Sequence, residues 1–173
     1  LETPRSLLEP SPYILGASKI SRVLNHVLVT SSQMTCVIVT NASLEECEEF
    51  KQGDPGLSSC TIVNYAYLYQ VCREHDFVPD IAFVSDVNVS LLLLFRRSVK
   101  WHFPVVGLIH SLGTHDSFTM FKSALSLMGK NDMYICPSQD TQQTAVKLGL
   151  LIEQTAICHY GLDETIYCPV SAN

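Results

Sequence analysis

The feature that most constrains this chain is a regular alternation of short apolar runs with helix-forming segments. Each run is only a few residues long, which suits a strand buried on both faces of a parallel sheet. Alternation of this kind predicts an α/β domain with a doubly wound, mainly parallel sheet and helices on both faces. We expect the strands near residues 36–40, 60–63, 81–84, 105–109, 133–136 and 156–158.

The segments between the runs carry helix signals. Residues 1–15 contain three of the prolines and are expected to be irregular, whereas a helical apolar stripe begins after Gly16. Ser43 and Glu46 have the spacing of a capping box, so a short acidic helix is expected to begin at Ser43. Further helices are expected over 65–75, over 89–99, from Thr114 or Asp116 to about Met128, and from Ser138 to a stop at Gly149.

Composition excludes several classes of protein. With 173 residues, 47% of them hydrophobic and 16% charged, the chain can bury a sizeable core and does not resemble a disordered segment. Its formal net charge is −6, and its one cluster of basic residues is Arg96-Arg97, which argues against nucleic-acid binding. The apolar run from Leu91 to Phe95 is far too short to cross a bilayer.

The seven cysteines favour a reducing setting. Their number is odd and none forms a Cys-x-x-Cys pair, while Cys36, Cys136 and Cys158 fall in apolar strand segments. We therefore expect neither a structural zinc site nor a native disulfide. The expected location is cytoplasmic, with peripheral attachment to a membrane left open.

Polar residues follow several of the predicted strands. The run from Val105 to Ile109 stops at a polar turn that contains His110, Ser111 and Gly113. In an open parallel sheet, ligands bind outside the carboxyl ends of the strands. The candidates for a functional rim are therefore Gly16, Asp86, Asn88, His110, Ser111, Gly113 and Ser138.

Four of these candidates also have a structural explanation. Gly16 opens a helix whose amides can receive a phosphate, but a tight turn explains one glycine equally well and is preferred from the pattern alone. Asp86 can cap the helix after its strand or contact a ligand, and Ser138 fits an N-cap better than a catalytic group. His110 can be a hydrogen-bonded loop histidine. Motifs of a nucleophile elbow, a P-loop or a zinc protease are absent from the sequence.

Five segments, in the same order, resemble parts of the N-terminal domain of GT-B glycosyltransferases. The family includes glycogen, sucrose and sucrose-phosphate synthases and bacterial mannosyltransferases. The resemblance covers the glycine loop before the first helix (10–17) and a strand ending at a polar rim (79–86). It extends to the strand that delivers the active-site histidine (104–113), the Pro-Ser helix start (135–138) and the stretch leading into a second domain (159–169). Here Tyr160 precedes Gly161, at a position where the family often has asparagine.

The resemblance implies an organisation and an activity. Residues 1–160 would form a Rossmann-like, acceptor-side GT-B domain, and 161–173 would begin the linker to a C-terminal donor-binding domain outside this sequence. The whole protein would be a retaining glycosyltransferase that uses a nucleotide-sugar donor, a sugar or lipid acceptor and no metal or other cofactor. This chain alone would be inactive.

The resemblance also implies roles for individual residues. His110 would be the catalytic-site residue, contacting the donor sugar near the reacting carbon. Gly16 would lie under the donor diphosphate, and the remaining substrate-binding candidates are Asp86, Ser111, Gly113, His115 and Ser138. Two alternatives stay open: a nucleotide-sugar 2-epimerase of the same architecture, and a non-catalytic Rossmann-like binding domain.

Overall fold

The computed structural model describes residues 35–40, 42–53 and 60–160. The strands in these ranges match the predicted positions to within one residue at each end. They are β1 (Val37–Thr40), β2 (Thr61–Asn64), β3 (Ala82–Val84), β4 (Val105–Leu108), β5 (Met133–Cys136) and β6 (Thr155–Ile157). The α/β class predicted from the alternating pattern is therefore confirmed.

Helices connect the strands. They are α1 (Leu44–Gly53), α2 (Leu68–Glu74), α3 (Ser90–Val99), α4 (His115–Leu125) and α5 (Gln139–Lys147). The segment predicted as one helix over 65–75 instead begins with a 3₁₀ turn, Tyr65–Tyr67, and α4 ends at Leu125, earlier than Met128. Gly16 and the helix predicted after it lie outside the described residues.

The predicted caps account for where three of the helices begin. The Ser43 hydroxyl accepts from the Glu46 amide at 3.2 Å, and the Glu46 carboxylate accepts from the Ser43 amide at 2.9 Å. Thr114, rather than Asp116, caps α4, because its hydroxyl accepts from the Ser117 amide. The α5 cap is the predicted Ser138.

The strands form two parallel sheets. One pairs β1 with β2, and the other has the order β3-β4-β5-β6. Because parallel crossovers are right-handed, three crossovers that step in one direction place α3, α4 and α5 on the same face of the larger sheet. The reversal of strand order that defines a doubly wound sheet is not seen within the described ranges. That part of the expectation stays a prediction.

The main core lies between the larger sheet and these helices. Its buried members include Leu93 of α3, Phe121 of α4 and Ala145 of α5, packed with Tyr134 of β5. All four residues of β4 are buried, as expected for a central strand of continuous apolar sequence. This burial fixes the backbone that leads directly into His110.

A second buried cluster joins the smaller sheet to α3. It contains Val63, Leu68 and Cys72, and Phe95 and Trp101 pack against it. The Phe95 and Trp101 rings meet edge to face, with centroids 5.8 Å apart. The β1–β2 unit therefore packs against the same helix that follows β3.

A buried carboxylate organises the amino end of the larger sheet. Asp132, just before β5, is 1% exposed and accepts hydrogen bonds from both terminal nitrogens of Arg96 at 2.5 and 2.7 Å. It also accepts from the backbone amides of Val105 at 2.9 Å and Gly129 at 2.6 Å. One side chain thereby ties α3 to the starts of β4 and β5.

Candidate functional site

The imidazole of His110 connects loops from three strands. It lies just beyond β4, where its Nε2 is 2.9 Å from the backbone carbonyl of Ser85, after β3. Its Nδ1 is 2.7 Å from the hydroxyl of Tyr160, after β6. Because a carbonyl oxygen can only accept, these contacts place the proton of a neutral ring on Nε2 and make Nδ1 the acceptor for Tyr160.

Tyr160 supplies this contact from the surface. Its side chain is 38% exposed, and its ring centroid is 5.9 Å from that of His110 at a tilt of 37°. Burial raises the pKa of the Tyr160 phenol, and the nearby thiols of Cys136 and Cys158 act in the same direction. The hydroxyl therefore stays protonated at neutral pH and is available as the donor to Nδ1.

Two further contacts attach the loop after β6 to the end of β5. The Cys158 amide donates to the Cys136 carbonyl at 2.9 Å, and Nδ1 of His159 is 2.9 Å from the Pro137 carbonyl. Together with His110, they link the loops after β3, β4, β5 and β6 into one continuous rim. This rim lies at the carboxyl ends of the strands, where the sequence predicts a functional rim, and its function stays a prediction.

Asp86 lies on this rim but does not cap α3. Its carboxylate accepts from the Asn88 amide at 2.9 Å, which is a local turn, whereas α3 begins after Val89 without a side-chain cap. The capping explanation for Asp86 is therefore wrong. Its exposed carboxylate remains next to Ser85, the residue that holds His110.

The residues that follow His110 form an exposed loop. The Ser111 hydroxyl accepts from the Gly113 amide at 3.0 Å, so Ser111 shapes the turn that leads to α4. His115 is the first residue of α4 and is exposed. The structure thus puts the exposed Ser111, Gly113 and His115 in the segment that runs on from the half-buried His110.

Ser138 acts structurally in this arrangement. Its hydroxyl accepts from the Thr141 amide at 3.2 Å and lies 3.0 Å from the Thr141 hydroxyl. Both contacts belong to the start of α5, in agreement with the N-cap prediction. Gly16, the remaining candidate, lies outside the described residues.

Sequence reasoning missed Tyr160 as a partner of His110, although it noted the loop that contains it. The two residues are 50 positions apart, so no periodicity connects them. A usable signal was available, because Tyr160 and His110 both follow strands of one parallel sheet. Residues in such positions meet at the same edge whatever their separation along the chain.

One other surface feature lies away from this rim. A groove of about 480 Å³ runs between α2 and α3 and is lined by aromatic residues and Lys100. Within residues 35–40, 42–53 and 60–160, no three His, Cys, Asp or Glu side chains are grouped as metal ligands. In the same ranges no helix has the length and apolarity needed to span a membrane.

No protein-family model, curated protein or solved structure matches this chain.

Proposed function

We propose that this chain is the N-terminal, acceptor-side domain of a retaining GT-B glycosyltransferase. The protein would transfer a sugar from a nucleotide-sugar donor to a sugar or lipid acceptor, with a C-terminal domain completing the donor site. The observation that carries the proposal is the position of His110. It follows β4, whose four residues are all buried, stands at the carboxyl edge of a parallel sheet and is oriented by a hydrogen bond to the Ser85 carbonyl.

The rigidity of this position matters for the chemistry. Transfer of a glycosyl group develops positive charge on the sugar and negative charge on the leaving phosphate, so polar groups must be held in place before the bond breaks. The Ser85 carbonyl orients the His110 ring through Nε2. Nδ1 is then the nitrogen that can accept a hydrogen bond from a sugar hydroxyl near the reacting carbon.

The other candidates complete the proposed site. Asp86 and Ser111 have exposed polar side chains on the adjoining rim loops and, with His115, are assigned to the acceptor side. Gly16 would let the donor diphosphate approach a helix N-terminus, as the resemblance of residues 10–17 suggests. The mechanism needs no metal, because the charge on the leaving group would be met by backbone amides and the second domain.

A non-catalytic binding domain is the second candidate, and one observation favours it. Both ring nitrogens of His110 already have partners within the protein, which is what a purely structural histidine would also show. A 2-epimerase of the same architecture would share the nucleotide-sugar site but would release a free sugar or an epimer instead of a glycoside. The products of the reaction therefore separate the three functions.

The experiment that tests the proposal is turnover by the full-length protein. It is incubated with uridine, guanosine and adenosine diphosphate sugars, with and without added glycan and lipid acceptors. The expected result is nucleoside diphosphate release that depends on an acceptor and yields a glycoside with retained anomeric configuration. A folded full-length protein that neither binds nor turns over any of these donors would refute the assignment, and acceptor-independent epimerisation would favour the epimerase.

A further inference from the structure

We propose that Tyr160 is a displaceable cover on His110. Its phenol occupies the place on Nδ1 that a hydroxyl of the bound sugar takes, so the substrate must move Tyr160 aside to reach the ring. The identification of the displacing group as a sugar hydroxyl rests on the proposed function. The cover itself rests on the geometry of the two side chains.

The two contacts of His110 differ in kind. On the Nε2 side the partner is a backbone carbonyl, that of Ser85, directly after a strand that pairs in register with β4. On the Nδ1 side the partner is the tip of a side chain that is more than one-third exposed. Moving the Ser85 carbonyl would disturb the sheet, whereas Tyr160 can leave by a side-chain rotation towards solvent. Nδ1 is therefore the nitrogen that can be uncovered.

The Tyr160 hydroxyl can take the place of a sugar hydroxyl because the two groups have the same hydrogen-bonding chemistry. A phenol and a sugar alcohol are both neutral O–H donors, and the hydrogen bond to Nδ1 needs only such a donor. Exchange of one for the other leaves the proton on Nε2 and the bond to Ser85 unchanged. His110 would thus keep the same tautomer and orientation in the covered and the substrate-bound states.

The anchoring of the neighbouring residue allows this movement. His159 is held to the Pro137 carbonyl at the end of β5, and Cys158 is paired with Cys136. These contacts fix the chain up to the residue before Tyr160. Displacement of the ring then requires rotation at Tyr160 alone and leaves β6 in place.

The cover has an energetic consequence. When only the uncovered fraction of a protein can bind, the apparent dissociation constant rises in inverse proportion to that fraction. Tyr160→Phe removes the hydroxyl and keeps the ring, so the variant should bind a donor sugar more tightly without altering the bond between His110 and Ser85. A residue that instead positions His110 for catalysis would, when changed to phenylalanine, lower kcat and leave binding alone.

A ligand-free experiment tests the cover directly. Diethyl pyrocarbonate acylates the unprotonated nitrogen of a neutral imidazole, here Nδ1, and peptide mass spectrometry gives the rate at each histidine. In full-length Tyr160→Phe we expect acylation of His110 to be roughly two- to tenfold faster than in the wild type, the range for loss of one hydrogen bond. The exposed His102 and His115 are internal references whose rates should not change.

The matched control is Tyr67→Phe, which removes a hydroxyl from a tyrosine that is 47% exposed and lies outside the rim. It should leave the rate at His110 as in the wild type. An unchanged or slower rate of acylation at His110 in Tyr160→Phe would overturn the proposal that Tyr160 covers His110. Ring ¹⁵N shifts of the wild type add a test that needs no variant, because finding the Nδ1–H tautomer at His110 would also overturn it.

A second experiment tests the Tyr160 cover separately from the proposed glycosyltransferase function. The dissociation constants of uridine diphosphate glucose and guanosine diphosphate mannose are measured for the wild type and for Tyr160→Phe. Binding that is two- to tenfold tighter in the variant supports displacement by sugar, and equal binding in both overturns it. Faster acylation with no binding of these or other sugar nucleotides would refute the glycosyltransferase assignment while leaving the cover in place.

Discussion

The ring of Tyr134 lies directly against Gly107 on the neighbouring strand, in the space that a larger residue on β4 would occupy. A methyl group added to Gly107 would stand 2.6 Å from Cδ1 of Tyr134 and 2.7 Å from Cγ1 of Val89. The Tyr134 hydroxyl extends past this point and donates to the Val87 carbonyl at 2.7 Å. One glycine thus permits a fully buried tyrosine to connect β5 with the segment between β3 and α3.

Gly107→Ala should therefore destabilise the domain. The added methyl group forces the Tyr134 ring or Val89 to move within a closely packed core, which costs about 1–3 kcal/mol. Denaturant unfolding of the full-length protein measures the effect. Gly113→Ala is the control, because its nearest neighbour would be the Ser111 hydroxyl at 3.4 Å, and we expect a change within about 0.5 kcal/mol. Equal stability of both variants would contradict this account of the core.

The Asp132–Arg96 pair should make the free energy of unfolding depend on pH. Burial alone would raise the pKa of Asp132, but hydrogen bonds from Arg96 and from the Gly129 and Val105 amides outweigh it, and the pKa is lowered. The stabilisation is therefore complete above the ordinary carboxyl pKa of about 4 and is lost as the pH falls towards the lower folded-state value. Urea unfolding of the wild type between neutral pH and pH 3 should show this loss.

The Asp132→Asn variant isolates the contribution of the Asp132 carboxylate to stability. Removing one partner of a buried ion pair costs about 3–5 kcal/mol at neutral pH, and the difference from the wild type should narrow as the pH falls through the same window. Arg97→Ala is the control, since the exposed Arg97 donates one hydrogen bond to the Leu127 carbonyl. A difference between the wild type and Asp132→Asn that does not change with pH would refute this explanation.

His110→Ala in the full-length protein tests the proposed catalytic role. Loss of a transition-state contact should lower kcat on the order of 10²-fold or more, with little change in unfolding temperature. His115→Ala, at the exposed first residue of α4, should cause a smaller loss. If His110→Ala instead lowers stability while the folded fraction keeps its activity, the histidine only ties the rim loops together.

The cysteines should differ widely in reactivity. Burial raises the pKa of the Cys136 thiol to about 11, whereas Cys158 is exposed. Because alkylation requires the thiolate, native protein treated with iodoacetamide at pH 8 should be labelled at Cys158 more than tenfold faster than at Cys136. Denaturation should abolish the difference. A denatured chain of residues 1–173 should also titrate as seven thiols, and a lower count would refute the predicted absence of disulfides.

Sequence reasoning succeeded where the information is local. The strands follow from short apolar runs, and the helix starts at Ser43 and Ser138 follow from side chains within reach of the first-turn amides. The rim position of His110 follows from the end of one such run. These features need only a few neighbouring residues and a rule about parallel sheets.

Sequence reasoning failed where partners are distant. Arg96 and Asp132 are 36 positions apart, and His110 and Tyr160 are 50 apart, so neither pair leaves a periodic trace. Of the two alternatives for Asp86, capping was wrong for a local reason, because its carboxylate accepts from the Asn88 amide in a turn before α3 begins. Pairing across the fold requires the three-dimensional order of the strands, which apolar patterning does not contain.

The hydrogen bonds to Asp132 give the two ends of the larger sheet different mechanical properties. At the amino end, the Asp132 carboxylate accepts four hydrogen bonds from α3, β4 and the turn before β5, so β5 cannot slide against α3 and β4 without breaking several of them. At the carboxyl end, several separate hydrogen bonds join the loops, and each of them, such as that between His110 and Tyr160, has its own donor and acceptor. Strand register is thus fixed far from the rim. A change in the rim loops would therefore leave the register of the strands in place.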